Sequence, residues 1–255
     1  MSIFQAIILS LVEGITEFLP ISSTGHLVLA SKLLGITQTE FVKSFEIAIQ
    51  LGAILAIVFL YFQVFLGKFG TLKKIVTAFI PTGILGLIFY KIVKQFLLGN
   101  LNVVILSLIF GGVAMILLEN YFERKNNTKN IDKLSLFDLL VVGFVQSVSM
   151  IPGVSRAMAT IFAGMGVGMN RKSATEFSFL LAVPTMLAAT SFDLIKVGAT
   201  FSSQEFILLG VGFVGAFISA MLTVKLLINY VKSHTFKAFA VYRIILAAIF
   251  WVIFR

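Results

Sequence analysis

The chain has 255 residues, 59% of them hydrophobic and 12% charged, with a formal charge of +9 and no cysteine. That length favours one domain, and the composition excludes an ordinary water-exposed globule in favour of a polytopic all-α membrane protein. The missing cysteines exclude a disulfide framework and thiolate chemistry, and in so apolar a chain the positive charge belongs to cytoplasmic loops and not to a nucleic-acid surface.

The N-terminus has no basic n-region and no cleavage site of small residues, so no removable signal peptide is expected. The first two apolar runs, Phe4 to Leu19 and Ile21 to Leu34, are each too short to cross a bilayer, which takes about 20 residues. Joined through Pro20, they read as a broken, re-entrant hairpin, a backbone tolerated at membrane depth only beside protein or a wet cavity. Three spans follow: Glu46 to Tyr61, Ile75 to Ile92 and Val103 to Tyr121. Residues 123–135 are the most polar stretch and read as a linker.

The pattern then restarts. A short run, Leu136 to Ile151, ends at Pro152 and another, Val154 to Val167, follows it. Ala174 to Ile195, Phe206 to Val231 and Phe239 to Phe254 close the chain as three more spans. Residues 1–122 and 136–255 are thus expected to be two repeats inside a single membrane domain. His26 precedes Glu46 by 20 positions and Arg156 precedes Glu176 by 20. Three crossings per half is odd, so the second repeat is inverted relative to the first, with the broken helices meeting at the midplane. With the N-terminus on one side, Lys32, Lys43, Lys91, Lys94, Lys196 and Arg255 share that side, and twelve basic residues from Lys68 to Lys237 take the other. The richer side is cytoplasmic, which turns both termini outward.

Polar groups at membrane depth need a reason, and they cluster at the two breaks. The first carries Glu13, Glu17, Ser22, Ser23, Thr24 and His26; the second carries Ser155 and Arg156. Glu13 and Glu17 stand one helical turn apart on one face. Carboxylates so placed hold Mg²⁺ or Ca²⁺ through oxygen. Helix N-termini bind anions, and arginine grips phosphate with a two-pronged fork. The sum is a phosphate site with one divalent cation, for which a lipid phosphate or diphosphate is the natural occupant. Gln146 stands in the second half where the first has Glu13, so a symmetric two-metal clamp is not expected. Ser22, Ser23 and Thr24 also suit plain helix capping, and Glu46 and Glu176 also suit helix-start carboxylates. Asp193, Lys225 and Arg243 have no evident place.

The run Glu-Gly-Ile-Thr-Glu-Phe-Leu-Pro-Ile-Ser-Ser-Thr-Gly-His from Glu13 to His26 resembles the first signature of the undecaprenyl-diphosphate phosphatase family, the bacitracin-resistance type. Pro152-Gly153-Val154-Ser155-Arg156 resembles the second. The family continues Ser-Arg with Ser-Gly-x-Thr, and this chain reads Ala157-Met158-Ala159-Thr160. The resemblance implies hydrolysis of undecaprenyl diphosphate to the monophosphate and inorganic phosphate in the bacterial plasma membrane, recycling the cell-wall lipid carrier. It implies Glu13 and Glu17 in metal binding and proton transfer, Ser23 or His26 as the attacking or protonating group, and Arg156 as the phosphate clamp. Ser22, Thr24, Gly25, Ser155 and Glu46 complete the expected binding set. The partners are a polyprenyl diphosphate and the bilayer, with a homodimer left open. The alternative function is an inverted-repeat secondary transporter or lipid flippase, which needs binding groups but no nucleophile.

Overall fold

The computed structural model describes residues 1–97, 100–125, 127–197 and 201–254, without the side chains of Lys94, Phe96 and residues 192–197. Lys94, Lys196 and Arg255 from the charge count, and Asp193, therefore lie outside the described side chains. The described chain is helical. In the first half α1 is Ile3–Thr16, α2 Ser23–Leu33, α3 Glu40–Leu60, α4 Phe62–Gly67, α5 Phe69–Ile92 and α6 Leu101–Glu123. In the second α7 is Leu136–Ser147, α8 Arg156–Gly166, α9 Arg171–Val197, α10 Ser203–Tyr230 and α11 Lys237–Phe254. Five of these, α3, α5, α6, α10 and α11, are long and apolar enough to cross a membrane.

Caps explain where the helices begin. Ser2 with Gln5, Ser135 with Asp138 and Ser202 with Glu205 form reciprocal capping boxes that start α1, α7 and α10. Each satisfies amides that a helix start leaves without intrahelical partners. Thr39 caps α3 through the amide of Val42. The helix therefore starts at Glu40, six residues before the apolar run. Glu46 and Glu176 consequently lie beyond the first turns of α3 and α9, and neither is the helix-start carboxylate that the sequence allowed.

The long helices pack as a bundle. Helix α10 lies against α1 and α3, α7 against α5, α6 against α11, and α9 against α3, α5 and α8. Phe18, Ile57, Phe177, Phe179 and Leu181 fill the central core. Leu87, Phe110, Leu226 and Val252 project outward from the bundle, an apolar exterior that suits hydrocarbon and not water. The polar linker is not a free tether. The Lys129 backbone donates to Gly168 and accepts from Asn170, and its ammonium pairs with Asp138 at 3.1 Å.

Two backbone features recur 133 positions apart. Ser22 and Ser155 are the only non-glycine residues with positive φ among the described residues, at 72° and 78°. Each is the N-cap of an 11-residue helix, α2 or α8. Both helices end two residues before a glycine of positive φ, Gly35 or Gly168. Left-handed serine costs on the order of 1–3 kcal/mol and persists only where its surroundings impose it.

Candidate active site

Helix α1 ends at Thr16 because Pro20 disfavours helical backbone just before it and cannot extend the ladder. The amide of Glu17 still bonds to the carbonyl of Glu13, so the two carboxylates keep helical spacing. The chain then turns through Pro20, and Ser22 opens α2. The Ser22 hydroxyl accepts from the amide of Gly25 at 3.4 Å, so Ser22 is a cap as well as a wall residue. Ser23, the first residue of α2, turns back across the break. Its hydroxyl donates to Glu17 Oε2 at 2.5 Å.

The second break delivers the cation. Ser155 caps α8 by accepting from the Met158 amide at 3.2 Å. Arg156 Nη2 donates to Glu17 Oε1 at 3.0 Å, and Nη1 donates to the carbonyl of Ser178 at 3.0 Å. The ion pair is almost buried, with side chains 10% and 6% exposed. Arg156 therefore pairs with Glu17 and not with Glu176, which reaches Lys172 instead at 3.8 Å. Thr160 secures the arginine from below. Its hydroxyl donates to the Arg156 carbonyl at 2.9 Å and shares a 2.5 Å bond with Ser178 Oγ. So one carboxylate holds a serine hydroxyl on one oxygen and a guanidinium on the other.

These groups form one end of a cavity of about 680 Å³. Glu17, Ser22, Ser23, Thr24, Ser155 and Arg156 line it, and so do Gln50, Thr82, Ser149 and Thr185. Most of the apolar lining comes from the later part of α5, Phe79 to Leu87, with Val93 just beyond that helix. Pro81 and Pro184 sit inside α5 and α9 at the near ends of the two wall segments. A proline inside a helix removes a ladder bond and favours a bend. Gln146, in the place corresponding to Glu13, is satisfied by Thr82 Oγ1 at 2.8 Å and Thr185 Oγ1 at 3.2 Å.

Four expected residues stand off the cavity wall. Glu46 accepts from Gln38 at 3.2 Å. Gly25 contributes its amide to the Ser22 cap. Glu13 lies behind Glu17, completely buried, with both carboxylate oxygens lacking a hydrogen-bond partner. His26 departs furthest from expectation. Its Nδ1 is 2.7 Å from the Ser22 carbonyl, which can only accept, so Nδ1 carries the proton. Nε2 then accepts from the Tyr242 hydroxyl at 2.7 Å. Both nitrogens are committed, and the ring braces the left-handed backbone of Ser22 instead of facing Ser23. Sequence reasoning missed Tyr242, Ser178 and Thr185, which carry no motif. Thr160 was legible as the last hydroxyl of the second signature.

A divalent cation fits this donor set. The buried carboxyl group of Glu13, with no hydrogen-bond partner one turn from Glu17, is a group that a bound cation would satisfy. Among the described residues no three acidic or histidine side chains converge on an ion position, so phosphate oxygens and water would supply the other ligands, as Mg²⁺ tolerates.

Comparison with known proteins places the whole chain in one family. The family described as bacitracin resistance protein BacA matches residues 6–249. The chain is 50% identical over 254 residues to the undecaprenyl-diphosphatase of Aquifex aeolicus, covering 100% of this chain and 99% of that one. It is 49% identical to the proteins of the same name from a Sulfurihydrogenibium species, over 99% of each chain, and from Persephonella marina, over 98% of each. With a match that runs through both breaks and almost to each terminus, the chain belongs to the bacitracin resistance protein BacA family.

Proposed function

We propose that the cavity hydrolyses undecaprenyl diphosphate to undecaprenyl phosphate and inorganic phosphate, with Ser23 as nucleophile. The chain is a multi-pass protein of the bacterial inner membrane and a hydrolase of this lipid, as the family and the names of its relatives support. The observation that carries the site assignment is the Ser23–Glu17–Arg156 chain of bonds at the polar end of a cavity whose other wall is apolar. The diphosphate belongs at the polar end and the polyprenyl chain along α5.

In this reading Ser23 Oγ attacks the terminal phosphorus and passes its proton to Glu17 Oε2. The bond to the bridging oxygen breaks, and undecaprenyl phosphate leaves. Glu17 gives that proton to the departing undecaprenyl phosphate. Water then attacks the phosphorus on Ser23 and passes a proton to Glu17. The bond from phosphorus to Ser23 Oγ breaks as Glu17 returns the proton to Oγ, releasing phosphate. Arg156 gathers negative charge on the phosphoryl oxygens, and the first turns of α2 and α8 present their amides to the same region. Glu13 and Glu17 would hold the divalent cation, which when bound neutralises phosphate charge. A transporter would need no serine poised on a carboxylate, so this bond favours hydrolysis over carriage alone.

The same proposal includes two inverted repeats, residues 1–122 and 136–255, joined by 123–135. The recurring left-handed serine caps and the crossed packing, α1 on α10 and α7 on α5, support it. If each broken hairpin returns to its own side, the later halves of α5 and α9 reach the face that holds the N-terminus. The cavity then opens outward, in keeping with the excess of basic residues at the opposite face. Purified protein supplied with undecaprenyl diphosphate should release one phosphate per lipid, and no release would overturn the assignment. In intact cells Thr24→Cys should react with a membrane-impermeant thiol reagent added outside; labelling only after lysis would reverse the orientation.

A further inference from the structure

Arg243, on α11, is completely buried and has no acidic partner among the described residues. A charge in that position is expensive unless its donors are used. Those of the two terminal nitrogens are used on backbone carbonyls, and Nε alone of the three has no partner. Nη1 donates to Pro20 at 3.2 Å and to Val154 at 2.9 Å, and it lies 3.1 Å from Met158 Sδ. Nη2 donates to Ser107 at 2.9 Å and to Gly153 at 2.8 Å. Pro20 and Gly153 are 133 positions apart, the interval that separates the two left-handed serines. One guanidinium thus spans corresponding carbonyls in the two breaks and fastens both to α6. Gly111 makes the space, because a Cβ there would fall on the guanidinium.

The electrostatics have a reason. Pro20, Gly153 and Val154 lie in the turns between the helices, where no helix ladder takes their carbonyls. Arg243 satisfies carbonyls of both turns at once, just before the N-caps Ser22 and Ser155. It does not line the cavity. We propose that Arg243 is a positioning residue, locking the two hairpin tips together so that Ser23 and Glu17 of one meet Arg156 of the other. This rests on the phosphatase reading of the cavity.

The test compares wild type with Arg243→Met, Arg243→Lys, Gly111→Ala and the Arg243→Met/Gly111→Ala double variant. Each is measured for kcat and KM on undecaprenyl diphosphate and for hydrogen exchange. An ångström of misplacement costs about 100-fold, so kcat should fall about 100-fold in Arg243→Met and less in Arg243→Lys, with KM within about threefold. Gly111→Ala displaces the guanidinium without removing it and should give the same kinetic split; the double variant should be no worse than either single one. Exchange should rise together over residues 17–25 and 149–158 while the long helices stay protected. A folded Arg243→Met enzyme with kcat within threefold of wild type, or exchange rising uniformly, would overturn the proposal. If Arg243→Met does not fold, a wild-type kcat in Gly111→Ala overturns it equally. Ser23→Ala separates the two readings: if it stays active, the site assignment fails; if it is dead while the Arg243 variants are normal, only the positioning role fails.

Discussion

Glu17→Gln tests the centre of the site, because Glu17 serves Ser23 and Arg156 at once. An amide has one acceptor and one donor end. If its oxygen faces Arg156, its NH₂ faces the Ser23 hydroxyl and cannot take the proton. If it is turned the other way, two donors oppose each other at Arg156. Losing a general base costs about 10²- to 10⁴-fold. Loosening a charge-assisted bond to the clamp removes about 1.5–3 kcal/mol more, roughly another 10- to 100-fold. We therefore expect kcat to fall about 10⁴-fold. Breaking a buried ion pair by removing one partner costs about 3–5 kcal/mol, and this pair is almost buried, so melting should move down as well. Arg156 keeps its bond to Ser178 and its place 5.6 Å from the Phe18 ring, which should hold the fold. The assay is phosphate release by protein in detergent, alongside size-exclusion and thermal unfolding. A monodisperse Glu17→Gln protein within tenfold of wild-type kcat would refute the reasoning.

The other expectations concern the flanking groups. Ser23→Ala should abolish turnover, whereas Ser22→Gly, which accepts a positive φ freely, should keep activity within about tenfold at the loss of a cap worth roughly 1 kcal/mol; the reverse ranking in phosphate release would exchange their roles. Arg156→Lys keeps the charge but cannot reach Glu17 and Ser178 together, and should lose about 2–3 kcal/mol of transition-state stabilisation, read as kcat/KM. Chelator should stop turnover and added Mg²⁺ or Ca²⁺ restore it, while Glu13→Gln should raise the ion concentration needed; undiminished activity in excess chelator would remove the cation from the scheme. Tyr242→Phe should leave kcat within about tenfold, since it deletes one bond of about 1 kcal/mol to a histidine that faces away from the cavity; a phosphorylated His26 trapped during turnover would contradict this.

Much of this was legible in sequence because membrane burial makes polar residues conspicuous. Glu17, Ser23 and Arg156 stood out as groups an apolar run would not carry without use, and Pro20 and Pro152 marked the breaks between them. What stayed hidden depends on backbone shape. Nothing in Ser22 or Ser155 announces a left-handed φ, which sequence patterns associate with glycine. Those dihedrals turn Ser22 into a cap whose carbonyl then claims His26. Sequence spacing alone sets His26 one turn beyond Ser23, on the side of the reaction. Arg243 was illegible for a different reason: its partners are carbonyls, which every residue has, so no spacing or residue type points to them.

The two breaks share a backbone and divide the chemistry. At the same 133-residue interval, Glu13 corresponds to Gln146, Ser23 to Arg156 and His26 to Ala159. In the proposed mechanism the first hairpin carries the acidic and nucleophilic groups, and the second carries the arginine that would gather phosphate charge. A strictly symmetric pair of tips would set two carboxylates, or two guanidinium groups, face to face at membrane depth, where like charges are least screened. A second tip that differs from the first avoids that conflict, and here the two meet in the Glu17–Arg156 pair. Gln146 shows the same logic: it keeps the shape of a glutamate, yet its amide is satisfied by Thr82 and Thr185, so it needs no cation. The asymmetry bears on the proposed cation as well, since Glu13 is buried with no hydrogen-bond partner while Gln146 is satisfied, so the proposal places one ion and not two. On this argument Gln146→Glu should destabilise the protein by placing a second uncompensated carboxylate beside the cavity. It should not create a faster two-metal enzyme, and a kcat above wild type in that variant at saturating Mg²⁺ would show that the asymmetry is not needed.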